Sequence, residues 1–425
     1  MSRQLSDEKE LAIRDALKKG TSKSRIKIEL KVGQTTIDRI ANSLNIKAKK
    51  ERFKKLKAEE KSDPTDERVL KLEARNIALK DEILRCKRAY TAAQRNNSVF
   101  EALVDELQSA VKPISPLPSA IKIKPRTNLI KESVVAILSD EHADQVVLPH
   151  QVGNLERFNF PIALRRAERY VDTIIKFTQR TLQNYNFDTL WIFANGDHTS
   201  GEIHSAVDHS TYRNSFRNSL AVGQMHSLMF RDLASHFNKV KVVYVPGNHG
   251  RRSTKKDYHG AWNNWDYLIA ETAKLHCAQL ENVEFCIPDA FSICVDIEGH
   301  GFHVTHGDEI KGWMGIPWYG INRKTQKLTA LNASQKKKIS YYIFGHFHQA
   351  STLAVLDGET IINGSWVATD PFAYEGLSVF SEPSQWLFGV NAQRGISWRL
   401  NMKLKTEREH LGPDRYAVKL TKENE

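Results

Sequence analysis

The sequence predicts an α/β fold with a largely parallel sheet, preceded by helical segments. Three observations carry that prediction. Short β-branched apolar runs recur at 133–138, 187–193, 240–245 and 341–344, the length and character of buried strands. Helix-length stretches follow the first three of them, over about 162–182, 214–237 and 262–280. Nearly every run ends in a loop rich in Asp, Asn, His and Gly, at the end where open α/β sheets place their ligands.

The first of 425 residues read as a small basic helical domain over 1–60. Leu11, Ile13 and Leu17 give 7–19 a helical face, and Gly20 ends it. A short second helix carries Ile26 and Leu30, and a turn at Val32-Gly33-Gln34 leads to a third with Ile37, Ile40, Ala41 and Leu44 on one side. This arrangement resembles a helix-turn-helix, which implies that Gln34, Thr35, Thr36 and Arg39 read DNA bases. The open alternative is a helical domain that binds protein or caps the next helix. Lys and Arg number 17 against 9 Asp and Glu in this stretch, so 8 of the chain's net +12 charges fall here. Such asymmetry favours an anionic polymer, nucleic acid first.

Residues 61–112 read as a coiled-coil helix. Val69, Leu72, Asn76, Leu79, Ile83, Cys86, Tyr90 and Ala93 step by three and four, with Asn76 where a buried polar residue sets register. The expectation is a homodimer through 66–95; the alternative is one long amphipathic helix packed on its own domain. Pro113, Pro116, Pro118 and Pro125 then mark a linker over 113–127.

The catalytic region is placed at 128–390, with a terminal strand and basic tail over 391–425. Five loops organise it: Asp140-Glu141-His142, Gly196-Asp197-His198, Gly247-Asn248-His249-Gly250, His306-Gly307-Asp308 and Gly345-His346-Phe347-His348. Carboxylate, imidazole and amide oxygen together suit divalent first-row metals, and a shared carboxylate suits two of them. Alone, each loop is a weak signal. In this order, each behind a strand, they resemble the calcineurin-like metallophosphoesterase superfamily, from about 133 to 366.

That resemblance implies a four-layer α/β/β/α sandwich. It also implies two divalent ions, with manganese first and iron or zinc also suited. Asp140, His142, Asp197 and His348 match the ligands of one ion, and Asp197, Asn248, His306 and His346 those of the other. His249 matches the family's non-ligand histidine at the scissile phosphate. The implied reaction is in-line attack of a metal-bound hydroxide on a phosphodiester, and the repair-nuclease branch suits the basic N-terminus. A phosphatase or phosphodiesterase acting on a small nucleotide or a phosphoprotein is the other expectation. Two positions depart from the family pattern: Gly250 and Ser200 stand where many members carry acidic residues. Glu141 reads as a spacer between ligands, its side chain turned away from the metals.

His204, Arg251 and Arg252 are the candidate substrate contacts, with Lys255 and Lys256 extending the basic stretch. Trp318 and Tyr319, interleaved with Arg323 and Lys324, could stack a base or bury into the domain. No run of about 18 apolar residues predicts a membrane span. The N-terminal residues lack a secretory apolar stretch. Cys86, Cys277, Cys286 and Cys294 show no paired spacing and read as reduced core or seam residues, so a cytoplasmic setting is expected.

Overall fold

The computed structural model describes residues 7–18, 26, 27, 29, 30, 32, 36–38, 40, 41, 107, 111–119, 129–203, 206–310, 317–355, 358–378 and 380–420. Two compact units divide the chain, Met1–Gln94 and Arg95–Glu425. In the first, helix α1 (Asp7–Lys18) contributes Ile13 to a buried cluster with Ile26, Val32, Ile37 and Ile40. Leu17 packs partly against it, but Leu11 is 62% exposed, against expectation. The face in use runs through Ile13, Ala16 and Leu17, the three- and four-residue spacing of one helical side; two residues before Ile13, the chain has turned away. The coiled-coil seam and the dimer segment 66–95 lie outside the described residues.

The second unit holds two sheets. Strands β1 (Ile130–Leu138), β2 (Tyr185–Ala194), β3 (Lys239–Tyr244) and β4 (Val283–Cys286) run parallel to one another, alternating with helices α2 (Phe160–Lys176), α3 (Ser215–Ala234) and α4 (Trp265–His276). An asparagine caps each helix: Asn159, Asn214 and Asn264 accept from a backbone amide of the first turn. The other sheet has β5 (Ser292–Ile297), β6 (His300–Thr305), β7 (Tyr341–Phe344), β9 (Gly358–Ile362) and β8 (Ser351–Val355), in that spatial order. Val355 faces Gly358, where β8 and β9 pair antiparallel as a hairpin. Strands β10 (Ser384–Asn391) and β11 (Gly395–Lys403) join the first sheet, β10 lying antiparallel beside β1.

β1 is buried on both faces from Glu132 onward, as a central strand must be. Val134, Ala136 and Leu138 join the cluster that includes α2, α3 and α4, whereas Val135 and Ile137 join one drawn from both sheets, with Phe193, Val243, Phe302, Val304 and Ile343. A third cluster couples Tyr342, Phe344 and Ile362 to Ile321 and Leu328 of α5 (Trp318–Ser334). Sequence reading assigned no helix to the α5 segment. Its buried face, Ile321, Thr325, Leu328 and Asn332, has helical spacing but is half polar, which hides the apolar period.

The C-terminal stretch is docked through residue 420. The Glu168 carboxylate accepts the amides of Asp414, Arg415 and Tyr416, and Tyr416 is buried with its hydroxyl on Asp232. Of the described cysteines, Cys277 is in the core and Cys294 half-buried. Cys286 is exposed, because it ends β4 at the sheet edge. Among the described residues no helix is long and apolar enough to cross a membrane.

Candidate metal centre

The fold brings all seven predicted ligands together. Asp140 and His142 leave β1, Asp197 leaves β2, Asn248 follows β3, His306 follows β6, and His346 and His348 follow β7. Asp140, His142, Asp197, His346 and His348 each have φ between 41° and 68°, half of the ten non-glycine residues described in the left-handed region. Such a conformation costs about 1–3 kcal/mol per residue, so its concentration at one place marks a site under functional constraint. Gly196 and Gly247 let two of these loops touch: a Cβ on Gly196 would stand 2.3 Å from Gly247 N, and one on Gly247 2.1 Å from Asp197 Oδ1.

Two donor groups form, Asp140–His142–His348 and Asp197–His306–His346, and Asp197 also comes within reach of His142 and His249. His142 Nε2 and Asp140 Oδ1 are each 3.4 Å from His348 Nε2. In the second group His306 Nε2 is 2.9 Å from Asp197 Oδ2 and 3.2 Å from Asn248 Oδ1. Metal–ligand bonds of about 2.1 Å give ligand separations of about 3.0 Å in an octahedron and about 3.4 Å in a tetrahedron. The observed distances fall in this range.

Protons sharpen the fit. His306 Nδ1 donates to Asn195 O, 2.8 Å away, so Nε2 carries the ring's lone pair when the imidazole is neutral. Asp197 Oδ1 accepts from His249 N, while the buried Oδ2 has only His306 Nε2 beside it. A carboxylate oxygen, an amide oxygen and an imidazole lone pair thus face one another and need a cation between them. Without a metal that cation is a proton: burial opposes charging His306, but the Asp197 carboxylate overrides it and pushes the pKa up to about 10. Burial and the neighbouring His249 and His348 push His142 down to about 3, and burial with His306 takes His346 to about 4. Both stay neutral, as metal ligands must.

His249 Nδ1 lies 3.0 Å from Ser200 O, a carbonyl that can only accept. This fixes the proton on Nδ1 and makes Nε2 the nitrogen whose protonation can change. The ring meets His142 edge-on, with centroids 4.7 Å apart. Ser200 therefore orients His249 through its backbone, whatever its side chain. Of the predicted substrate contacts, His204 lies outside the described residues. Arg251 donates to Asn248 O and reaches Asp308 at 3.8 Å, where Lys256 pairs at 2.7 Å. The half-buried Arg252 lies over the Trp265 ring. Lys324 pairs with Glu309, and Tyr319 is 65% exposed on α5. Gln34, Thr35 and Arg39 also lie outside the described residues; Thr36 is helical and half-buried.

Sequence reasoning missed the residues beneath the ligands. Glu141 does turn away from the metal donors, but into partners: its Oε2 accepts from His198 Nδ1 at 2.5 Å and His226 Nε2 at 2.8 Å, all three fully buried. Tyr244 Oη donates to His226 Nδ1 at 2.7 Å. Burial opposes its charge, but the two imidazoles hold Glu141 down to about 2. Asp266 on α4 was likewise unforeseen, and it touches three backbone amides of the ligand loops. The one signal available was an acidic residue locked between two ligand positions at 141; nothing local marked 266.

No protein-family model and no curated protein matches the sequence. Similar solved structures include an archaeal phosphodiesterase (13% identity, 63% of this chain and 99% of that one, TM-score 0.29). The phosphoesterase YfcE from E. coli is similar at 14% identity, over 64% of this chain and 100% of that one, TM-score 0.28. Zinc-bound Vps29 from Entamoeba histolytica is similar at 12%, over 64% and 99%, TM-score 0.28. At that depth of likeness, the chemistry rests on the site's own geometry.

Proposed function

We propose that this chain is a two-metal phosphoesterase hydrolysing phosphodiester bonds, with DNA as its substrate and manganese as its ion. The observation that carries the reading is the convergence of carboxylate, amide and imidazole donors around Asp197. Asp140, His142, Asp197 and His348 would hold one ion, and Asp197, Asn248, His306 and His346 the other. Divalent ions held there would polarise a phosphoryl oxygen and lower the pKa of water. The chain's own contribution is to position and to move protons. His249, its Nδ1–H held by Ser200 O, presents Nε2 to donate a proton to the leaving oxygen. Asn195 O keeps His306 in the tautomer that a ligand needs.

The four-layer α/β/β/α arrangement belongs to the same proposal, supported by the three apolar clusters of the second unit. So do the helix-turn-helix, dimerisation through 66–95 and a cytoplasmic setting. DNA is favoured by the cation excess of residues 1–60. One observation favours the second reading, a small nucleotide or phosphoprotein substrate: Arg251 and Lys256 are engaged by Asp308, and Lys324 by Glu309, so cations expected to meet a nucleic-acid backbone have partners already.

The test is hydrolysis with Mn²⁺ of bis-p-nitrophenyl phosphate, labelled single- and double-stranded DNA, mononucleotides and a phosphopeptide. Asp197→Ala is expected to lower every activity by about 1,000-fold or more, on the scale of transition-state stabilisation lost with such a centre. Mn²⁺-dependent turnover surviving in that variant would sink the assignment. Turnover of mononucleotides or phosphopeptide with DNA untouched would decide for the second reading.

A further inference from the structure

We infer that Asp266 is a positioning residue for this centre: a carboxylate that sets where Asp197 stands by tying its loop to that of Asn248. The inference rests on the metal-centre reading above. Asp266 is buried in the first turn of α4. An acid there ordinarily serves its own helix, by capping or by answering the helix dipole. Here Asn264 does the capping, its Oδ1 accepting from Asp266 N at 2.8 Å. The Asp266 side chain reaches outside the helix. Its Oδ2 accepts from Gly247 N at 2.8 Å and Asp197 N at 3.1 Å, and its Oδ1 from His198 N at 3.2 Å.

These amides belong to the loops that deliver Asp197 and Asn248, two donors placed around His306. Asn264 Nδ2 adds a bond to Gly247 O at 2.9 Å, and Trp265 N donates to Gly250 O at 2.7 Å. The end of α4 is thus bonded to both loops from below. Gly250 is what admits it: a Cβ there would fall 2.0 Å from Asn264 Oδ1 and 3.1 Å from Asp266 Cγ. No side chain fits at 250, and the acid supporting these loops comes from a helix farther along the chain. An acceptor bonded to three amides at once also fixes their relative orientation, which holds Asp197 in its left-handed conformation, φ 55°.

The experiment uses the full chain, with Mn²⁺ as the probe. Asp266→Asn keeps the volume but sets an amide N–H against backbone N–H groups. Its Mn²⁺ affinity, read by calorimetry, is expected to weaken about 10–100-fold, the usual effect of losing a residue that supports ligands. Activity at limiting Mn²⁺ should fall in parallel and return at excess Mn²⁺, because the ligands themselves are intact. Asn159→Ala, which uncaps α2 instead, should destabilise the fold while leaving Mn²⁺ affinity unchanged. Asp266→Glu, with the charge kept and a methylene added where there is no room, should fall between wild type and Asp266→Asn.

Wild-type Mn²⁺ affinity in either folded Asp266 variant would overturn the inference, leaving Asp266 a helix-end residue only. A second reading needs no variant. The amides of Asp197, His198 and Gly247 should exchange slowly with solvent deuterium in metal-free wild-type protein. Fast exchange there would mean that the metal, not Asp266, holds the loops. Failure of wild-type protein to bind Mn²⁺ at all is a separate result, and it would remove the metal-centre reading itself.

Discussion

Two groups of imidazole and carboxylate have the spacing of a metal site, and their hydrogen bonds tell them apart. Asp197, His306 and His346 form the first; Glu141, His198 and His226 form the second, from residues next to the ligands in sequence. Both groups offer three donor atoms within 4.8 Å of one another. In the first, Asp197 Oδ2 has a single imidazole beside it, His306 Nε2 at 2.9 Å, and no other donor reaches that oxygen. In the second, nitrogen and oxygen close to 2.5 and 2.8 Å with a proton in each gap. Proximity and residue type therefore do not separate a ligand set from an anchor. The placement of protons does. Where one exchangeable imidazole proton faces a carboxylate and an amide oxygen a metal can take its place, and where two N–H groups meet one carboxylate the charge is already answered.

The largest effect that tests this contrast is the competition between metal and proton at His306. Its pKa of about 10 lies above the ordinary 6.5, so at neutral pH the metal-free ring is charged and a metal must displace the proton. Affinity should rise about tenfold per pH unit, or about 100-fold between pH 6 and 8, with proton release measurable by calorimetry in buffers of different ionisation enthalpy. The same group gives metal-free protein a signature of its own. A folded pKa raised above the unfolded one stabilises fully below about 6.5, and that contribution is lost as pH rises toward 10. Pairing of His306 with Asp197 through a metal alone would show neither the pH slope nor the alkaline loss.

Glu141→Gln probes the other side. It removes the charge that two imidazoles answer in a fully buried place, and should destabilise the fold by about 2–4 kcal/mol, as hydrogen bonds to a buried charge do. Metal content per chain, measured by elemental analysis, should not change. Loss of a metal equivalent in this variant would turn the second group into a metal site and erase the contrast.

How much of this was legible in the sequence follows from how local each signal is. Asp140, Asp197, Asn248, His306, His346 and His348 all stand within a few residues of a strand end, so strand and loop together announce them. Asp266 reaches Asp197 across 69 positions from a helix whose pattern says only that it is buried. His226 sits mid-helix in α3, where a buried histidine is indistinguishable from core until its partner is known. Gly250 read as a departure from a family pattern, and became intelligible when α4 was seen to fill the space beside it. Leu11 and α5 failed for a plainer reason. Apolar content was counted at positions facing water, and polar residues at Thr325 and Asn332 broke a buried face.

The smallest effect distinguishes the groups through Tyr244. Its hydroxyl donates to His226 Nδ1, and burial raises the phenol pKa well above its usual range, so that proton stays in place. A metal-bound histidine commonly directs its other ring nitrogen to a partner in just this way, with the ring N–H as donor. Here the direction is reversed: His226 Nε2–H is committed to Glu141, so Nδ1 accepts. Tyr244→Phe should then cost about 1 kcal/mol, the value of one neutral hydrogen bond, read by denaturant unfolding. Metal occupancy and activity should be unchanged. A fall in metal content in this variant would show that His226 is oriented for a metal, whereas loss of stability alone keeps Glu141, His198 and His226 as the anchor beneath the centre.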